Sequence, residues 1–332
     1  MSAVTPRDVL DAHATALNFA LDEAVDAISE SAPLLAASAL ARLSTQRAPE
    51  VIRDRLFAVA VLGSTRGSRG APAEALPVSV LSALWWASTP VPEHVVDVTS
   101  SGHSTTQVWA LPDGFATVAL LSMRYLDGAR IPQRTRWQWS QDVVRSTLAA
   151  TEGRLVKNRR HSWEVSRGDA IANCLGRSGG AYARDALMAA RVHAGEAAEE
   201  WRKFGMQYGL LHQLRGNRTE ISIEHDADLA NAVPTLLLAH AFALAKPARQ
   251  AELVHLRLAA MHDLNARSIL RELLHAETVV DSYRADIDGM HRQACRRLGS
   301  LCGNTEFRDV LRAELDTSAR LAVPKVREVI GL

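Results

Sequence analysis

The sequence predicts an all-α protein built as one large helical bundle. Apolar residues recur at helical spacing almost from end to end, and short clusters of Pro and Gly punctuate the periodic stretches. β-type alternation is scarce, with Ile221-Ser222-Ile223 too short to make a strand.

The first helix is expected to start at Thr5-Pro6, because Pro suits the first turn, and Leu10, Ala14, Leu17, Leu21 and Ile28 trace its apolar stripe. Similar patterns follow over 34–46, 50–62 and 76–88, with Gly63 to Pro72 breaking the chain between the last two. Pro90 and Pro92 come next, then a helical pattern over 105–125 interrupted at Pro112-Asp113-Gly114. Gly128 to Pro132 separates it from 137–155, after which 166–193, 196–214 and 227–245 read as helices. Pro234 lies inside the last of these, so it either kinks a helix or starts one. Pro247 opens 247–262, followed by 265–284, 286–301, 305–316 and 323–330. No tandem repeat, low-complexity tail or long linker divides the chain, so residues 1–332 are expected to form a single domain.

Composition narrows the function classes. The chain has 332 residues, 47% of them hydrophobic, which is enough for a large core. Thirty-eight basic against 37 acidic residues leave a net charge of +1, which argues against nucleic-acid and membrane-surface binding. The basic residues are almost all arginine, the only lysines being Lys157, Lys203, Lys246 and Lys325. Cys174, Cys295 and Cys302 form no CxxC pair and read as reduced thiols. Acidic residues at Asp8, Asp11, Asp22 and Glu23 exclude a signal peptide, and no apolar run reaches the roughly 18 residues of a membrane helix. A cytoplasmic protein is expected.

Two segments carry the functional signal. One runs from Phe204 to Leu237, reading FGMQYGLLHQLRGNRTE and then DADLANAVPTLL. The other is LSALWWASTPVPEHVVDVT, followed by SSGHSTT, between Leu76 and Tyr125. Together they resemble the two motif regions of the trans-polyprenyl diphosphate synthases. In that family the later region reads FGxxxGxxFQxxDDxxD, followed by DLxNGxPTLP. This chain keeps Phe204, Gly205, Gly209, Gln213, Asp228, Leu229, Asn231, Pro234, Thr235 and Leu236. The resemblance covers about residues 60–315 and implies the isoprenoid (terpenoid) synthase fold.

The same comparison shows what has been lost. Glu93, His94 and Asp97 stand at the aspartate positions of the first motif, and Gly216, Asn217 and Glu220 at those of the second. Residues Ser100 to Thr106 replace an arginine-rich turn. In the family the carboxylates hold magnesium, which bridges to the substrate diphosphate and neutralises the leaving group. Glu93 and Asp97 keep an i, i+4 spacing and Asn217 and Glu220 an i, i+3 spacing, so two oxygen-bearing pairs survive. The resemblance makes Glu93, Asp97, Asn217 and Glu220 the candidate catalytic and metal residues. With six carboxylates reduced to three, magnesium affinity is expected to be weak or lost.

Other positions follow by the same resemblance. Arg66 and Arg69, in the loop Gly63 to Gly70, stand where the family binds its homoallylic diphosphate, and Arg177-Ser178 where it has a lysine-threonine pair. Guanidinium forks suit phosphate oxygens, although both segments also read as plain interhelical loops. Gly153 to Lys157 replaces GQxxD and turns its acid into a lysine, which counts against ordinary chain elongation. Trp85 and Trp86 are placed to flank a hydrocarbon, and Gln213 completes the substrate-binding set.

The resemblance therefore implies an atypical class I enzyme acting on a prenyl diphosphate, by prenyl transfer or by terpene cyclisation through an allylic carbocation. The alternative is a catalytically silent prenyl-diphosphate-binding or regulatory subunit of an active synthase. A homodimer, or a heterodimer with a related synthase, is expected in either case. Two further constellations stand outside the resemblance. Glu252/His255 and Glu272/His275 have the E-x-x-H spacing of di-iron bundles, and His94, His103 and His212 offer acid–base groups for metal-free chemistry.

Overall fold

The structure is a computed structural model, and it describes residues 6–65, 72–88, 121–128, 131–159, 164–193, 197–220, 227–303 and 306–324. The described residues are almost wholly helical, as the periodicity predicts, and the one β-type pairing among them is an isolated bridge between Thr65 and Cys302. No described helix is long and apolar enough to cross a membrane.

The chain divides into two compact units, each assembled from three segments. The first comprises 1–144, 185–199 and 302–311. Its helices are α1 (Pro6–Ser29), α2 (Pro33–Ser44), α3 (Pro49–Arg55), α4 (Phe57–Ser64) and α5 (Leu76–Ser88). The predicted 50–62 helix is broken at Leu56, whose backbone leaves helical geometry between α3 and α4. Helix α5 packs against α1, α2, α3 and α4, around a core containing Leu17, Leu21, Leu43, Leu62, Leu81 and Leu84. Residues 121–128 are helical, and α6 (Gln133–Arg159) begins in this unit.

The second unit comprises 145–184, 200–301 and 312–332. Helix α7 (Arg167–Cys174) runs without interruption through a π-turn (Leu175–Gly179) into α8 (Gly180–His193). Ser166 caps α7, its hydroxyl accepting the Asp169 N–H at 3.1 Å. Helix α9 (Ala198–Glu220) carries the FGMQYG segment and extends past the predicted 214. The predicted 227–245 helix is split into a single turn, α10 (Ala227–Ala230), and α11 (Leu236–Leu244). Pro234 stands before this second helix and does not kink it. Thr235 is the N-cap, its hydroxyl accepting the Leu238 N–H at 3.2 Å.

Helices α12 (Pro247–Ala260) and α13 (Leu264–Leu274) form a hairpin capped by Asp263, whose carboxylate accepts the Asn265 N–H at 2.8 Å. Helix α14 (Glu277–Leu301) is continuous where two helices were expected, since the break falls at His275-Ala276, ten residues earlier than the predicted boundary. Helix α15 (Glu306–Ala322) closes the described chain, and the expected 323–330 helix lies outside the described residues apart from its first two positions. Helix α11 packs on both α7 and α14, and the core of the unit contains Phe204, Leu211, Leu214, Leu270, Leu274, Val280 and Ile287.

Candidate functional site

The site develops where α9 crosses the π-turn. Gly209 makes the approach possible, because a β-carbon there would stand 2.9 Å from Gly179 Cα and 3.0 Å from Ser178 O. Phe204, one turn earlier, is fully buried with an edge-on contact to Trp201 at 5.5 Å between ring centroids. The retained FG-xxx-G spacing is thus a packing motif: the aromatic anchors α9 and the glycine admits the neighbouring backbone.

The close approach aligns two rows of polar residues. Cys174 and Ser178 are four apart on one segment, Gln213 and Asn217 four apart on the other, and they pair in antiparallel order. Ser178 Oγ donates to Gln213 Oε1 in a short hydrogen bond, and Gln213 Nε2 donates to Asn217 Oδ1 at 2.8 Å. Asn217 Nδ2 reaches Cys174 Sγ at 3.8 Å, closing the line. Ser178, Gln213 and Asn217 are all buried, so each amide and hydroxyl depends on its neighbours in place of water.

Arg177, the neighbour of Ser178, places Nη1 3.8 Å from Asp228 Oδ1. Asp228 is the retained aspartate of the DLxN segment, and it is 4% exposed. Behind Asn217 lies a cavity of about 20 Å³ lined also by Thr235, His275 and Tyr283, roughly the volume one water occupies. Burial, and then the proximity of Cys174 and Asp286, push the Tyr283 phenol above its usual range, so it stays a protonated donor. A wider groove of about 430 Å³, with Arg167, Asp169, His240 and Gln250 in its wall, contains none of the matched motif residues.

The structure brings Arg177, Ser178, Gln213 and Asn217 together in the second unit. The Arg177-Ser178 segment is a π-turn inside a continuous helix, not an interhelical loop. Trp85 and Trp86 belong to the first unit and meet edge to face at 5.1 Å. Arg55 lies over the Trp86 ring, with Cζ 4.6 Å from its centroid, so that indole face already holds a cation. Glu93, Asp97, Arg66 and Arg69, like His94 and His103, lie outside the described residues. Of Glu220 only the backbone is described, at the end of α9. His212 packs against Tyr182 and Tyr208.

Within the magnesium-binding set, Asn217 is the member whose side chain is described. It is 4% exposed, neutral, and hydrogen-bonded on both oxygen and nitrogen to protein groups. That surrounding fits a polar core residue better than a ligand for a hard, hydrated cation. Among the described residues, the two E-x-x-H pairs do not converge on a shared metal position. Glu252 instead pairs with Arg249, and His275 Nδ1 contacts the Arg271 carbonyl at 2.7 Å.

The sequence marks Asp228 as a retained motif residue and Cys174 as a reduced thiol, but assigns neither to the site. For Cys174 the signal was present in the spacing, four residues before Ser178, which matches the Gln213–Asn217 spacing on the opposing helix.

No protein-family sequence model matches the chain, and no curated protein sequence matches it. Solved structures do. A decaprenyl diphosphate synthase from Rhodobacter capsulatus is similar over 97% of this chain and 100% of its own, with a TM-score of 0.75 and 14% identity. A geranylgeranyl pyrophosphate synthetase from Pyrococcus horikoshii Ot3 is similar over 94% and 98%, with a TM-score of 0.73 and 15% identity. A geranylgeranyl pyrophosphate synthase from Corynebacterium glutamicum, complexed with isoprenyl diphosphate and magnesium, is similar over 93% and 99%, with a TM-score of 0.74 and 14% identity. The chain has the all-α fold of the trans-polyprenyl diphosphate synthases.

Proposed function

We propose that this protein is an atypical class I isoprenoid enzyme that acts on a prenyl diphosphate, by prenyl transfer or terpene cyclisation through an allylic carbocation. The observation that supports this most is the buried line Ser178–Gln213–Asn217 beside Arg177, held by a π-turn and a glycine contact that the sequence retains. π-turns interrupt helices at some cost and are frequent at functional sites. The same turn carries Arg177, whose guanidinium stands 3.8 Å from Asp228 Oδ1 and has the fork geometry suited to phosphate oxygens.

In this reading Arg177, with Arg66 and Arg69, binds the diphosphate, and Trp85 and Trp86 flank the hydrocarbon. Glu93, Asp97 and Glu220 hold magnesium, whose charge neutralises the leaving pyrophosphate. Asn217 acts from inside, fixing Gln213 and through it Ser178. Losing the acid of the GQxxD segment, with Lys157 in its place, favours cyclisation or an unusual acceptor over chain elongation. The protein is taken to work in the cytoplasm as a dimer, with itself or with a related synthase.

The decisive experiment is binding of geranyl, farnesyl and geranylgeranyl diphosphates with and without magnesium, with pyrophosphate release followed in parallel. Magnesium-dependent binding with release is expected, and release should disappear in Glu93→Gln, Asp97→Asn and Glu220→Gln. Absence of binding to all three would overturn the reading.

A second reading has its own support. The inward commitment of Asn217 leaves three carboxylates for the metal, which favours a silent prenyl-diphosphate-binding subunit that regulates an active synthase. Binding without release, joined by co-purification with an intact synthase, would decide for it.

A further inference from the structure

One cluster outside this site has the chemistry of a metal centre. His291 and Cys295 lie four residues apart on α14, and Asp316 faces them from α15. His291 Nε2, Cys295 Sγ and an Asp316 carboxylate oxygen all fall within 4.8 Å of one another. Nε2 stands 3.4 Å from the sulfur and 2.7 Å from Asp316 Oδ1. In the sequence Cys295 reads only as a reduced thiol. The convergence becomes visible once α15 is laid beside α14.

We propose that His291, Cys295 and Asp316 form a zinc-type site that ties α14 to α15. The donor set is one imidazole, one thiolate and one carboxylate, which selects borderline ions such as zinc over magnesium or calcium. Around a tetrahedral zinc, sulfur and nitrogen ligands stand about 3.5 Å apart and nitrogen and oxygen ligands about 3.4 Å apart. The Cys295–His291 separation already meets the first figure. The Asp316–His291 pair must open by roughly 0.7 Å to meet the second, and the 52% exposed Asp316 side chain has room to do so. Three protein ligands leave the fourth position to water.

The arrangement does not suit a nucleophilic relay. In a Cys-His-Asp relay the two ring nitrogens face different partners, whereas here one nitrogen, Nε2, faces both the thiol and the carboxylate. Convergence on a single point is what a cation requires. Arg312 is the charge that opposes it, with Nε 3.2 Å from Asp316 Oδ1. Its guanidinium also fixes the carboxylate from outside, as hydrogen-bonded partners of metal ligands commonly do. Binding replaces the His291–Asp316 hydrogen bond with two metal bonds: the Nε2 proton leaves to solvent, the neutral imidazole keeps its single proton on Nδ1, and the Cys295 thiol gives its proton to solvent as the metal–sulfur bond forms. The inference is independent of any diphosphate chemistry.

The test uses the full chain after chelator treatment, titrated with cobalt as a spectroscopic stand-in and then with zinc. One equivalent of cobalt should produce a sulfur-to-metal charge-transfer band that zinc abolishes and a tenfold excess of magnesium does not. Zinc should raise the melting temperature of the chain and leave that of Cys295→Ser unchanged. Asp316→Asn, at an exposed position that tolerates substitution, should keep the band while weakening cobalt binding at least about tenfold. Absence of the band overturns the site, as does a band of full intensity in Cys295→Ser, which would place the thiolate at Cys174 or Cys302. Undiminished cobalt affinity in Asp316→Asn overturns it as well, whether or not Cys295→Ser folds.

Discussion

Arg167 grips Asp286 through two parallel hydrogen bonds, Nε to Oδ2 at 2.7 Å and Nη2 to Oδ1 at 2.8 Å, joining the start of α7 to the middle of α14. His240 of α11 adds a third contact to the same carboxylate, Nε2 to Oδ2 at 3.3 Å, while its Nδ1 meets Ser282 Oγ at 2.9 Å. Three helices of the second unit are thus pinned at one carboxylate. Burial alone would raise the Asp286 carboxyl, but the hydrogen bond and charge of Arg167, then those of His240, outweigh it and hold it below the usual 3.8.

A depressed carboxyl stabilises the folded state above its unfolded value, and the contribution disappears as pH falls through the folded value. Asp286→Asn should therefore cost about 1 kcal/mol at pH 7, a modest figure because the Arg167 end is exposed and screened by water. Below about pH 4 the difference between wild type and variant should shrink toward zero. Urea midpoints measured from pH 3 to pH 7 would show it, and a difference independent of pH would contradict the assignment.

Gly209→Ala should destabilise the chain by about 1–3 kcal/mol, because the new methyl meets the ring of the buried Tyr182 at 2.8 Å and, within 3.0 Å, the backbone of Gly179 and Ser178, which cannot swing away. Gly289→Ala, where nothing lies within 4 Å, is the matched control and should be neutral or slightly stabilising on its helix. Thermal melts of the two variants side by side check the contrast.

Gln213→Leu removes the centre of the buried polar line and leaves the Ser178 hydroxyl and the Asn217 carboxamide short of a partner. A loss of about 2–3 kcal/mol is expected, with Ser178→Ala costing only about 1 kcal/mol because a single bond is lost. Equal losses in the two variants would show that the line is not organised around Gln213. If the proposed function holds, Gln213→Leu should also weaken prenyl diphosphate binding under conditions where it remains folded.

Ala232 adopts a left-handed backbone, φ 48°, at the position where the resembled family has glycine. The loop keeps that shape because Val233 N–H donates to Asp228 O at 2.8 Å and Arg257 Nη2 donates to Ala232 O at 2.5 Å. A β-carbon in this region costs about 1–2 kcal/mol, so Ala232→Gly should raise stability by about 0.5–1 kcal/mol once the extra freedom of the unfolded glycine is subtracted. Chemical denaturation reads the sign directly.

Helix starts were the most legible part of the fold, because their signals are local. Pro6, Pro49 and Pro247 stand where fixed φ and a missing N–H suit a first turn, and the described helices begin there. The break at His275-Ala276 escaped because no Pro or Gly marks it; the chain turns there because Leu274 and Val279-Val280 are buried on either side. Within the site, Ser178 and Gln213 were readable by resemblance, whereas their bond, 35 residues apart in sequence, was not. The Arg167–Asp286 pair, 119 residues apart, left no trace in any local window. Charge pairs of this kind are specified by how helices pack, and packing is invisible to periodicity.

The π-turn between α7 and α8 also sets the phase of everything that follows it on that helix. A π-turn accommodates one residue more than an α-turn, so side chains after Gly179 point about 100° away from where an uninterrupted helix would send them. A homologous chain lacking one residue between Leu175 and Gly179 would carry the same α8 sequence wound in the original phase. Comparing such chains position by position would then misassign every residue from Gly180 onward by one, and a gap of a single residue at this turn is the mark to look for.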